Sequence, residues 1–170
     1  SFSNPVIGVL VGAGVTAIIQ SSSASIGILQ ALSSTGIITW SSAVPIILGQ
    51  NIGSCISPIL ASIGASKNAK RTAAVHLSFN IIGTIVFLII IYTIQSLSPF
   101  SFWDLPIDKG GIANFHTLFN VSVTLMFLPF VSLLEKMVVR LIPDQQNTDE
   151  VDDPAIALDD RLLTSPGLAI

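Results

Sequence analysis

Residues 1–66 contain no Asp, Glu, Lys, Arg or His. A soluble domain carries about one charged residue in four, so water is not the main solvent of a stretch like this. Further along, residues 72–103 hold only His76 among those five residue types, and residues 110–134 only His116. Each stretch is long enough for a helical crossing of about 20 residues. Backbone groups in lipid must be satisfied within the chain, and with 51% hydrophobic and 10% charged residues the fold class is an all-α membrane protein.

Five apolar pieces can be separated, and the first three are interrupted. Residues 5–19 would rise roughly 22 Å as a helix, short of a hydrocarbon core of about 30 Å. The polar run Gln20-Ser21-Ser22-Ser23 follows, then a second short helical stretch at residues 24–32, closed by Ser33-Ser34-Thr35-Gly36. Two half-length helices around a polar tip make a re-entrant helical hairpin. Residues 43–64 are long enough to cross but contain Pro45, Gly49, Gln50, Asn51, Gly53, Ser54 and Pro58, the composition of a transmembrane helix unwound in its middle. Non-helical backbone at membrane depth survives only inside protein or against a wet cavity, so two such breaks are expected to share one. Residues 69–95 and 111–134 read as two further transmembrane helices, with His76, Asn80, Asn114, His116 and Asn120 as polar groups along them.

Charge divides the chain in two. Residues 1–143 carry six basic and three acidic groups and form the membrane domain. Residues 144–170 carry seven acids against Arg161 alone, which places them in water as an acidic tail or the start of another domain. Lys67, Lys70 and Arg71 precede one crossing, and Lys136 and Arg140 follow the next. Basic flanks mark the cytoplasmic side, so the C-terminus is expected there. The loop between them, with Asp104, Asp108 and Lys109 and with Trp103 at its apolar edge, is expected at the outer interface. No cleavable signal peptide is expected, because no positive charge precedes the first apolar piece. Cys55, the single cysteine, permits no internal disulfide.

A helix that starts at Ser21 to Ser23, or at Asn51 to Ser54, presents N–H groups without intrahelical partners and about half a positive charge. Both starts can hold an anion, with Ser and Asn available to cap the backbone or to meet the ligand. Opposite them, helix ends near Ile19 and Gln20 and near Gly49 and Gln50 offer carbonyls suited to a hard cation. Secondary transporters build midplane sites in this way.

The pairing of Gln20-Ser21-Ser22-Ser23-Ala24 with Gly49-Gln50-Asn51-Ile52-Gly53-Ser54 resembles the bacterial branch of the type II sodium/phosphate cotransporter family. That family has two inverted repeats, each with a Q-S-S-S hairpin tip and a G-x-N-I-G-[TS] unwound helix. The resemblance covers residues 5–134, and residues 67–80 are similar to the segment that follows the break of the second repeat. It implies that this chain is one half of an inverted-repeat transporter, with the other repeat as a partner and a homodimer as an assembly. It assigns Gln20, Ser21, Ser22, Ser23, Asn51, Ser54 and Ser57 to phosphate, and Gln20, Ser22, Gln50 and Asn51 to Na+ as the coupling ion, with no other cofactor. Ser54-Cys55 stands where the family often has Thr-Thr, and Gln50 replaces a commoner small residue, adding a ligand or narrowing the site. Leu158-Asp159-Asp160-Arg161-Leu162-Leu163 resembles the entry to a PhoU-like helical domain. The implied location is the bacterial inner membrane, multi-pass.

Each feature has a plainer reading. The serines can be small residues that let helices approach, and Asn51 can be a helix cap alone. His76 and Asn80, four apart on one face, fit an interhelical hydrogen bond better than a proton relay. Lys67, Lys70 and Arg71 fit topology signals better than phosphate ligands. No Ser-His-acid or metal-ligand spacing falls in the membrane segments, so no enzyme is expected. The function that follows is sodium-dependent phosphate transport. The alternatives are a membrane phosphate sensor acting through its tail and a passive anion channel.

Overall fold

The computed structural model describes residues 4–143. The acidic tail and its resemblance to a PhoU-like domain fall outside the described residues. Within them the regular structure is helical apart from an isolated antiparallel bridge between Thr39 and Pro106. Helix α1 spans Pro5–Ile19 and α2 Ser22–Ser33, with Gln20 and Ser21 alone between them. Asn4 caps α1 by accepting from the Val6 N–H at 2.9 Å, and Pro5 occupies a first-turn position where its missing N–H is not needed.

The third apolar piece forms α3 (Trp40–Gly53) and α4 (Ile56–Ala61). Its interruption lies further along than the sequence reading places it. Gln50 and Asn51 are helical, and the break is confined to Ser54 and Cys55. Pro58 explains the position, because a continuous helix would need its N–H for the Ser54 carbonyl and proline has none. The Cys55 N–H turns instead to the Ile52 carbonyl at 3.1 Å, tightening the last turn of α3. Upstream, packing holds the helix together through its glycines.

Helices α1 and α3 run parallel and form the closest interface of the fold. A methyl group on Gly12 would collide with the Ile46 carbonyl, one on Gly49 with the Val9 carbonyl, and one on Gly53 with the Ala13 carbonyl. Each helix therefore presents a small-xxx-small stripe, Gly8 with Gly12 and Gly49 with Gly53, and the backbones approach to direct contact.

Helices α5 (Lys67–Leu97) and α6 (Lys109–Phe127) make an antiparallel pair against α3. Ile112, Phe115, Phe119, Val123 and Phe127 form the buried stripe of α6, with Phe119 edge-on to Phe87 and Phe127 tilted against Phe79. The expected crossing at 111–134 is interrupted by a 3-10 turn, Leu128–Phe130, around Pro129, and α7 follows at Val131–Leu141. Arg71 donates from Nε (3.0 Å) and Nη2 (2.8 Å) to the Ile142 carbonyl. The basic start of α5 and the basic end of α7 therefore share one end of the bundle. At the other end the α2–α3 and α5–α6 loops are knitted together: Ser41 N–H donates to the Trp103 carbonyl (2.8 Å) and Ile107 N–H to the Ile38 carbonyl (2.9 Å). Trp103, expected at an outer interface, is turned inward against Tyr92 and Phe100, because these loop bonds pull its segment over the bundle end.

Candidate functional site: the hairpin tip and the helix break

Gln20 ends α1 in the left-handed conformation (φ 57°), and among the described residues it is the single non-glycine with positive φ. That conformation costs an L-residue roughly 1–2 kcal/mol and is usually left to glycine at helix ends. Here it reverses the chain in two residues, with the Gln20 N–H bonded to the Thr16 carbonyl at 2.7 Å. Ser21 caps α2, its hydroxyl accepting from the Ala24 N–H at 3.3 Å and lying 3.3 Å from the Ser23 hydroxyl. Ser22 and Ser23 form the first turn, where N–H groups have no carbonyl to reach within the helix.

The break is brought to this tip by Ser57, whose hydroxyl donates to the Gln20 carbonyl at 3.5 Å. Ser54 donates back to the Asn51 carbonyl at 2.7 Å, capping the end of α3 rather than starting a new helix. Asn51 is buried. Its Nδ2 donates to the Ile47 carbonyl (2.9 Å), and its Oδ1 accepts from Asn120 Nδ2 (3.3 Å).

Gln50 faces elsewhere. It enters a buried network about one turn below the tip: Thr16 Oγ1 donates to Ser25 Oγ at 2.7 Å, and Gln50 Nε2 donates to the Ser25 carbonyl (3.0 Å) and Oγ (2.9 Å). Gln50 Oε1 is buried with no protein partner. The network ties both arms of the hairpin to α3. A cavity of about 480 Å³ opens beside it, with Val11, Val15, Ile28, Leu32 and Ile46 among its walls. This is not the wet space that two breaks were expected to share. Of the candidate ligands only Gln50 lines it.

Thr16, Ser25 and Asn120 belong to this constellation and were not singled out as site residues from sequence. For two of them the signal is helical spacing: Thr16 lies four before Gln20 and Ser25 four after Ser21, on the same faces as the tip. Asn80 does make an interhelical bond, from Nδ2 to Cys55 Sγ at 3.3 Å. Among the described residues no cluster of His, Cys, Asp and Glu could hold a metal ion; the oxygens at hand are neutral hydroxyls, amides and carbonyls.

Three helical stretches of 22, 31 and 33 residues are long and apolar enough to cross a membrane. With a hairpin tip and an interrupted helix meeting among them, the fold and site define a helical integral membrane protein. The Na+/Pi-cotransporter family matches residues 1–102, and the chain belongs to that family. YqeW of Bacillus subtilis, an uncharacterized protein, is 40% identical over 138 residues, covering 79% of this chain and 43% of its own length. YjbB of Salmonella typhimurium, provisionally named for inorganic phosphate export, is 30% identical over 162 residues, covering 95% of this chain and 29% of its own. The rat protein named sodium-dependent phosphate transport protein 2A is 39% identical over 92 residues, 51% of this chain and 14% of its own. The chain thus spans less than half the length of these relatives. Those named for a function are named as transporters, not enzymes. No solved structure gives a significant match.

Proposed function

We propose that the complete protein moves inorganic phosphate across a membrane by coupling it to Na+, with this chain supplying one of two repeats. Phosphate is held by Gln20, Ser21, Ser22 and Ser23 at the tip and by Asn51, Ser54 and Ser57 at the break; Na+ is held by oxygens of Gln20, Ser22, Gln50 and Asn51. The observation that carries this reading is the contact of Ser57 with the Gln20 carbonyl, which brings the two polar interruptions together at the surface of an otherwise apolar bundle. The α2 start offers N–H groups and hydroxyls to an oxyanion. The α1 end and the unpartnered Gln50 oxygen offer the neutral oxygens that a hard cation prefers. A cation bound beside the anion offsets its charge, which makes the two loads interdependent. The hairpin then enters the membrane from the outer side without crossing, and the Arg71 end of the bundle faces the cytoplasm.

Phosphate flux into or out of proteoliposomes holding the complete protein tests this. Ser22→Ala and Asn51→Ala should each lower sodium-dependent flux without loss of protein from the membrane. Unchanged kinetics in both variants refute the assignment. Flux that ignores the sodium gradient points to a passive anion channel, and binding without flux to a sensor.

A further inference from the structure

The two crossing helices after the break carry one pattern twice. Residues 76–80 of α5 read His-Leu-Ser-Phe-Asn, and residues 116–120 of α6 read His-Thr-Leu-Phe-Asn. In both copies the asparagine does the same thing. Asn80 Nδ2 donates to the His76 carbonyl of its own helix at 3.0 Å and to Cys55 Sγ at 3.3 Å. Asn120 Nδ2 donates to the His116 carbonyl at 2.8 Å and to Asn51 Oδ1 at 3.3 Å. Asn51 and Cys55 are one helical turn apart, so α5 and α6 grip the end of α3 with matching devices. The phenylalanine of each copy packs into the core beside it, Phe79 on Phe127 and Phe119 on Phe87.

The bond to its own helix removes rotamer freedom from Asn120, so its second N–H stays aimed at Asn51. Asn51 is thereby held at both ends, with its nitrogen on the Ile47 carbonyl and its oxygen on Asn120. An amide oxygen has two lone pairs, and Asn120 uses one. The lone pair that remains suits a cation, whereas the amide hydrogens that would suit phosphate are partly engaged with Ile47.

We propose that Asn120 is a positioning residue for Na+: it orients the Asn51 carboxamide so that Oδ1 faces the coupling ion. The inference rests on the reading that Asn51 belongs to the transport site, and it assigns Asn51 chiefly to the cation. Asn120→Leu, similar in volume and without the donor, should raise the Na+ concentration for half-maximal phosphate flux about 10-fold, the lower end for loss of a partner behind a metal ligand. Maximal flux at saturating Na+ should be kept. Because Asn120 acts through Asn51, Asn120→Leu together with Asn51→Ala should be no worse than Asn51→Ala alone.

The assay is phosphate flux in proteoliposomes of the complete protein, titrated with NaCl at constant ionic strength. A merely structural role would lower melting temperature or maximal flux and leave Na+ half-saturation in place. That result, or strictly additive effects in the double variant, overturns the proposal. If Asn120→Leu does not accumulate in the membrane, Asn120→Ser, which keeps a donor but shortens its reach, takes its place with the same expectations. Wild-type protein without sodium-dependent flux would defeat the underlying reading and this inference with it, an outcome that the wild-type arm reports separately.

Discussion

Gly49→Ala probes the backbone contact that seats the break. The added methyl would lie 2.8 Å from the Val9 carbonyl carbon and 2.9 Å from the Ala13 nitrogen, with the Val9 oxygen closer still. Carbon contacts settle at about 3.5–4.0 Å, and the opposing atoms are backbone, with no rotamer to yield. Helix α1 must therefore retreat by roughly 1 Å, and a gap of that size forfeits a quarter to a half of each neighbouring contact. Overpacking of this kind costs about 1–3 kcal/mol, and replacing a helical glycine by alanine returns about 0.5–1 kcal/mol. The net expectation is a loss of about 1–2 kcal/mol. Gly14→Ala is the control, since nothing lies within 4 Å of its added methyl; it should keep only the helix-propensity gain. Both variants of the complete protein are heated in detergent, and the unaggregated fraction is measured by size exclusion. Gly49→Ala should melt several degrees below wild type and Gly14→Ala at or above it. Equal melting of the two variants would refute the close-packing argument.

Two further outcomes follow from the break and its neighbour. Pro58→Ala restores an N–H that can reach the Ser54 carbonyl and removes a helix penalty of about 3 kcal/mol, so α3 and α4 should tend to fuse; phosphate flux should fall several-fold while melting temperature holds or rises, and undiminished flux would show that the break is dispensable. Gln50→Leu removes the buried unpartnered oxygen together with two donated bonds. It should raise the Na+ requirement for half-maximal flux while stability moves by no more than about 1–2 kcal/mol, and an unaltered Na+ requirement would take Gln50 out of the cation site.

The helical hairpin was legible because its cues are local. Pro5 opens the first apolar piece, the Gln20 run ends it, and the structure reproduces both limits. The break was placed too early because Gly49, Asn51 and Gly53 look like helix breakers in sequence. In the fold those glycines are the contact surface for α1, Asn51 bonds back to Ile47, and the missing N–H of Pro58 moves the interruption to Ser54. The inward packing of Trp103 was not legible, because a loop beside an apolar segment gives no sign of which way it is drawn; bonds from the α2–α3 loop decide that. The link from Gln50 to Ser25 joins residues 25 positions apart, and no periodicity announces such a pair. Asn120 stood out only as a polar group in a crossing, since its use depends on meeting Asn51 from another helix.

The knitted loops at the end remote from the tip bear on how the hairpin can move. Ser41, Ile38, Trp103 and Ile107 pin the far ends of α2 and α3 to the α5–α6 loop, while the tip is held by one long hydroxyl contact. Between these ends the buried Thr16, Ser25 and Gln50 bonds fasten both arms to α3, so only the serine turn beyond them is lightly held. Tilting the whole arm would break those buried bonds, so adjustment to a bound ion is confined to the few residues of the turn, Gln20 to Ser23.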